Sequence, residues 1–242
     1  MRRTRNIKGF TLVEVLFAIT IGLLLLGAIF VAVQSGQRSS VAIEAKTTAQ
    51  QDVRAVLELM SLEIGMASYY RYGGVGVTNP WPGSTNKGIL EATPTALRIQ
   101  MDIDPEDGAV VGNNEDIRYE YIPAEQRVTR RAGVAGGAQP FLGCADANGD
   151  GRCDDNTTLR TVRVVNNTLP INNGNGVPAI FRYYDGSGAE LYPDANPLVI
   201  PNIRRIDITL AVETETIDPN TGQRRRMIYS TSVIPRNHAI NP

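Results

Sequence analysis

From Phe10 to Val33 the chain is apolar apart from Thr11, Glu14 and Thr20, and no other feature narrows its folding so much. About 20 residues of this kind span a bilayer as a helix. A secretory signal would have a shorter apolar core ending in a small-residue cleavage site. Here the apolar stretch runs on into a helical pattern, so the segment is expected to be kept. Arg2, Arg3, Arg5 and Lys8 precede it, and only Arg38 and Lys46 follow soon after. The positive-inside bias then puts the N-terminus in the cytoplasm and everything beyond the helix outside.

Glu14 does not suit a plain anchor, because a carboxylate in a membrane helix costs roughly 2.5 to 3.5 kcal/mol on insertion scales. Either it snorkels to the cytoplasmic headgroups or it meets a partner. The surrounding residues, Gly9-Phe10-Thr11-Leu12-Val13-Glu14-Val15-Leu16 behind a short basic leader, resemble the class III leader of type IV pilins and type II secretion pseudopilins. The resemblance implies cleavage after Gly9 by a prepilin peptidase, methylation of the new N-terminal Phe10, and pairing of Glu14 with the terminal amine of a neighbouring subunit during assembly. Many major pilins carry a proline in the middle of this segment; here Gly22 and Gly27 are the only softeners.

After Val33 the pattern becomes amphipathic. Val53, Val56, Leu57, Met60 and Ile64 form one face, with Ala55, Leu59, Leu62 and Met66 broadening it. This predicts one long helix from about residue 11 to 67, or two helices broken near Ser35-Gly36. From Gly73 onward, Gly, Pro, Asn and Asp punctuate short alternating runs, which predicts antiparallel strands. Hairpins are expected at 117–130 and at 203–234, the latter with a long charged loop, and a strand at 181–184 should turn at Asp185-Gly186. The expected fold is α+β. It comprises a leader at 1–9, a long helix at 10–67 with its membrane segment at 10–33, and a β-rich globular domain at 68–242. That architecture again resembles pilins.

Two cysteines and an acidic run carry the remaining chemistry. Asp146-x-Asn148-x-Asp150-Gly151 has the spacing of the first half of an EF-hand loop, with Arg152 usable through its carbonyl and Asp154 at the ninth position. The twelfth position is Thr157 in place of the bidentate Glu, so calcium would bind weakly, with Asp155 substituting in a different geometry. An ion-free turn stapled by a disulfide is the alternative. Cys144 and Cys153 are the only cysteines, and in an oxidising compartment they are expected to pair.

Composition excludes more than it suggests. A net charge of −1 provides no global field for nucleic acid, and a single histidine, His238, rules out multi-histidine metal sites. His238 reads as a tail residue. Arg204-Arg205 with Arg224-Arg225-Arg226 would suit a DNA-contacting patch, but they lie among strand and loop positions near Glu213, Glu215 and Asp218, and a charge-balanced solvated face is the expectation. Asn156 and Asn166 head glycosylation-type triplets.

Segments of the outer domain, among them the helix end at 51–67, Phe181-Arg-Tyr-Tyr-Asp-Gly-Ser-Gly and Ile234-Pro-Arg-Asn, resemble large minor pilins of the PilW type or pseudopilin J. This implies a structural subunit of a type IV pilus that helps start or cap assembly, without catalysis and without a required cofactor, calcium being the one candidate ion. The alternatives are a type II secretion pseudopilin, or a tip subunit that contacts DNA or a surface. Partners would be major and minor pilins, the prepilin peptidase and an inner-membrane assembly platform; nucleic acid is not expected. The protein would sit in the inner membrane with a periplasmic outer domain before joining an extracellular pilus or periplasmic pseudopilus.

Overall fold

The structure, a computed structural model, describes residues 10–70, 81, 86–103, 114–154, 160–166 and 179–239. Helix α1 runs unbroken over Leu12–Gly65, 54 residues, or about 80 Å at 1.5 Å per residue. The break considered at Ser35-Gly36 does not occur. One glycine costs only about 1 kcal/mol in a helix, and a Cβ at Gly36 would meet nothing within 4 Å, so no neighbouring element forces a bend there. Helix α1 starts on a reciprocal cap, in which the Thr11 hydroxyl accepts from the Glu14 N–H and the Glu14 carboxylate accepts from the Thr11 N–H. It ends where the Met66 N–H turns back to the carbonyls of Leu62 and Glu63.

The two halves of the helix meet different surroundings. The apolar half is bare, with no buried residue in its most apolar window. Along the second half, Ala49, Val53, Val56, Leu57, Met60 and Ile64 are buried in one core with both sheets. Leu59 and Leu62, expected to widen that seam, are 40% and 60% exposed. Leu62 lies about 200° around the helix from Met60, so a seam centred on Met60 cannot cover it.

The globular part holds two antiparallel sheets. The first is a meander of β1 (Ile89–Ala92), β2 (Ala96–Gln100), β3 (Asp116–Ile122), β4 (Arg127–Ala132) and β5 (Gln139–Leu142) in that order. Its inward residues Leu97, Ile99, Ile117, Tyr119 and Val128 are buried, while Arg98, Arg118 and Arg131 alternate outward, the period of two that a half-buried strand requires. The β3–β4 hairpin closes through a 3-10 turn at Pro123–Glu125 and Gln126 at φ 54°.

The second sheet is centred on β9 (Arg205–Ile217), which pairs with β10 (Arg224–Val233) along one edge. Its other edge takes β7 (Phe181–Tyr184) and β6 (Val162–Val164), and β8 (Glu190–Leu191) pairs with β7. Much of the expected charged loop is therefore strand. Val212 and Thr214 are buried and alternate with Glu213 and Glu215, and the Glu215 carboxylate is met by Arg163 and Arg224. The turn between β7 and β8 is held by Asp185, whose carboxylate accepts from the Ser187 N–H and hydroxyl and the Ala189 N–H. Chiefly through these bonds its pKa is lowered.

Three groups tie helix to sheet. Glu63 on α1 receives the Tyr119 hydroxyl and the Arg130 guanidinium, whose Nη2 is 2.6 Å from Oε1 and Nε 3.1 Å from Oε2. Burial, with Glu63 beside it, pushes the Tyr119 phenol far above its ordinary range.

Candidate functional site

At the N-terminal end, Gly9 lies outside the described residues. Phe10 is 89% exposed. Glu14 Oε2 accepts from the Thr11 N–H at 2.8 Å and the Thr11 hydroxyl at 2.9 Å. The carboxylate thus satisfies donors of the first turn that no carbonyl can reach. The pattern Thr11-x-x-Glu14 carries this cap in plain view, and the membrane reading of the segment obscured it.

The acidic loop hangs between β5 and β6. Cys144 and Cys153 are joined by a disulfide with Cα atoms 5.4 Å apart. Inside this ring Asp146 is the organiser. Its Oδ1 accepts from the N–H groups of Gly149 at 2.8 Å and Asp150 at 3.1 Å, and its Oδ2 from Gly151 at 3.1 Å. The chain can curl so tightly because Gly149 and Gly151 have φ of 75° and 81°. Asn148 Oδ1 accepts from the Asp150 N–H, Asp150 Oδ1 from the Arg152 N–H, and Asp154 Oδ1 from the Ala147 N–H.

Among the described residues no group of three or more His, Cys, Asp or Glu side chains is placed to hold a metal ion. Asp155 and Thr157 lie outside them. The cation beside the loop is Arg160. Its side chain is only 3% exposed, and it stands 3.8 Å from Asp146 and 3.7 Å from Glu215. Its Nη2 donates to the carbonyls of Glu125 and Gln126. Burial lowers its pKa, with Glu215 and Asp146 opposing. Nothing in the sequence signals that a lone arginine seven residues past the ring comes to stand beside Asp146.

The basic residues do not make one patch. Arg205 opens β9 and Arg224 opposes Ile217 at its far end, a separation of about 40 Å along an extended strand. Arg205 lies 3.0 Å from Asp207 and over the Tyr184 ring, Arg224 pairs with Glu215, and Arg225 with Asp218. Arg204 donates to the Pro201 and Ile203 carbonyls. Of the triplet asparagines, Asn156 is outside the described residues. Asn166 is buried and bonded to Ala179, Thr209 and Ala211, which leaves its amide nitrogen no room for a glycan.

His238, read as a tail residue, is instead buried. Its Nδ1 is 3.0 Å from the Ser68 hydroxyl and its Nε2 2.9 Å from the Ile200 carbonyl. A serine beside a histidine resembles half of a hydrolase triad, but here the second ring nitrogen meets a carbonyl oxygen where a carboxylate would orient it, and the serine itself is 3% exposed. The pair holds the fold together.

Compared with known families, residues 4–30 match the prokaryotic N-terminal methylation motif. A search of curated proteins finds no match. Among solved structures, a type IV-like pilin from Thermus thermophilus aligns with a TM-score of 0.39 and 12% identity, covering 78% of this chain and 98% of that one. The motif match falls on the segment that resembles the pilin leader, from the basic residues through Gly9, Phe10 and Glu14 into the apolar helix.

Proposed function

We propose that this chain, which bears the N-terminal methylation motif of the type IV pilin superfamily, is a minor pilin that helps initiate or cap a type IV pilus and performs no catalysis. One observation carries the reading. The methylation motif runs into a single continuous helix whose apolar half is left uncovered by the described residues and whose other half is the spine of a folded domain. The bare stretch Leu12–Val33 measures about 33 Å, close to the roughly 30 Å hydrocarbon core of a bilayer. It suits first a membrane and then the packed helices of a filament. In the lipid the segment's backbone is satisfied internally, and in a filament its partners are the equivalent helices of other pilins. The partners would be pilins, the prepilin peptidase and the inner-membrane platform, with the outer domain beyond the membrane, where a disulfide persists.

The test uses the native host. Deleting the gene is expected to lower the number of filaments per cell, and sheared wild-type filaments should contain the protein at low copy with methylated Phe10 at its terminus. Unchanged filament number together with absence from sheared filaments would overturn the reading.

A further inference from the structure

We propose that the buried contact between Ser68 and His238 is an acid-sensitive latch holding the C-terminal 3-10 turn, Arg236–Ala239, against the end of helix α1. Ser68 lies just past that end in the left-handed region, φ 63°, which is uncommon for a residue with a side chain. Its N–H donates to the Gln100 carbonyl at 2.9 Å, and its hydroxyl oxygen accepts from the Gly88 N–H at 3.0 Å. Gly88 has to be glycine for this approach, because a Cβ there would lie 2.6 Å from the Ser68 nitrogen and 2.3 Å from the Gln100 oxygen.

The direction of each bond follows from the partners. The Ile200 carbonyl can only accept, so His238 Nε2 carries the proton and donates to it. Nδ1 of the neutral ring is then an acceptor, and the Ser68 hydroxyl donates to it. In that pattern every donor has an acceptor. Adding a proton at Nδ1 leaves the Ser68 oxygen facing two N–H donors and its own O–H without an acceptor, in a site where both residues are 3% exposed. The charged groups felt by the ring, Arg204 and Lys87, are both positive. Among the described residues, no carboxylate figures among the groups that act on the ring.

Burial first, aided by Arg204 and Lys87 and opposed by the Ile200 bond, holds the folded ring below its ordinary pKa of 6.5. Unfolded chains therefore take up the proton first as pH falls. The latch contributes fully above about pH 6.5 and is lost as pH drops below that value through the depressed folded pKa.

The experiment uses the full chain in detergent micelles. Because there is one histidine, its ring gives a single NMR signal, followed from about pH 8 to about pH 4.5 alongside hydrogen exchange of peptides covering Ser68 and Arg236–Ala239. The expected result is a midpoint below 6.5 and a fall in protection of about tenfold or more across the same window, after correction for intrinsic exchange. His238→Gln, which can accept from Ser68 and donate to Ile200 without titrating, is expected to keep its protection at acid pH. A ring midpoint at or above 6.5, protection that does not follow the ring titration, or the same acid step in His238→Gln would overturn the latch. Should the variant not fold, coincidence or divergence of the two wild-type titrations still decides.

Discussion

Glu14 serves one partner inside the subunit and is proposed to serve another outside it. In the single chain its carboxylate closes the helix cap with Thr11; in a filament the terminal amine of a neighbour would offer a stronger, charge-assisted bond. Glu14→Ala is thus expected to leave membrane insertion intact while lowering incorporation into filaments by about tenfold or more, measured as the ratio of filament-bound to membrane-bound protein. Normal incorporation would remove the pairing role. Asp146 illustrates a different use of a carboxylate. Three amides donate to it, and the buried Arg160 stands 3.8 Å away. Asp146→Ala is expected to destabilise the domain by about 1 to 2 kcal/mol, since three amides lose their acceptor and Arg160 loses one of its two neighbouring carboxylates. Melting with and without millimolar calcium checks this. A calcium-induced rise present in the wild type and absent from Asp146→Ala would favour the ion-binding loop instead.

At the scale of elements, the seam between α1 and the sheets decides which substitutions matter. Met60 is fully buried while Leu62, two residues on, faces out. Met60→Ala is expected to cost about 2 to 5 kcal/mol and Leu62→Ala within about 0.5 kcal/mol, read by chemical denaturation of the same preparation. On the outer side of the first sheet, Asp116 joins β2 and β3. Burial would raise its pKa, yet the bonds from Arg98 and Gln100 outweigh burial and lower it. A depressed carboxylate contributes stability above its unfolded pKa, near 3.9, and loses it as pH falls through the folded value. Much of this arrangement was legible in the chain. The 3.6-residue period located the seam at Val53, Val56, Leu57, Met60 and Ile64, and alternation located the hairpin at 117–130. Periodicity reports which residues share a face, though, and not how wide a face the sheets cover, so Leu59 and Leu62 were misplaced. The charged end of β9 looked like a loop because its ion-pair partners, Arg163 and Arg224, come from other strands. Arg160 and His238 were missed for the same reason: their partners Asp146, Ser68 and Ile200 are brought to them only by the fold.

For the whole molecule, a continuous helix built for two surroundings constrains topology more tightly than either half alone. The basic leader resists translocation, and the domain at the far end carries a disulfide that needs an oxidising compartment to persist. In the proposed function both ends call for the same orientation, and neither depends on removal of the leader. Processing and insertion should consequently separate in cells lacking prepilin peptidase. There the chain is expected to retain Met1 and stay out of filaments, yet to be inserted with Cys144 and Cys153 oxidised. In wild-type cells the same domain should be found behind an N-terminus at Phe10. Intact-mass analysis with and without thiol alkylation reads both features at once. Alkylatable thiols in the unprocessed protein would mean that the domain had stayed in the cytosol and that export waits on cleavage, which would reverse the order argued from charge and disulfide.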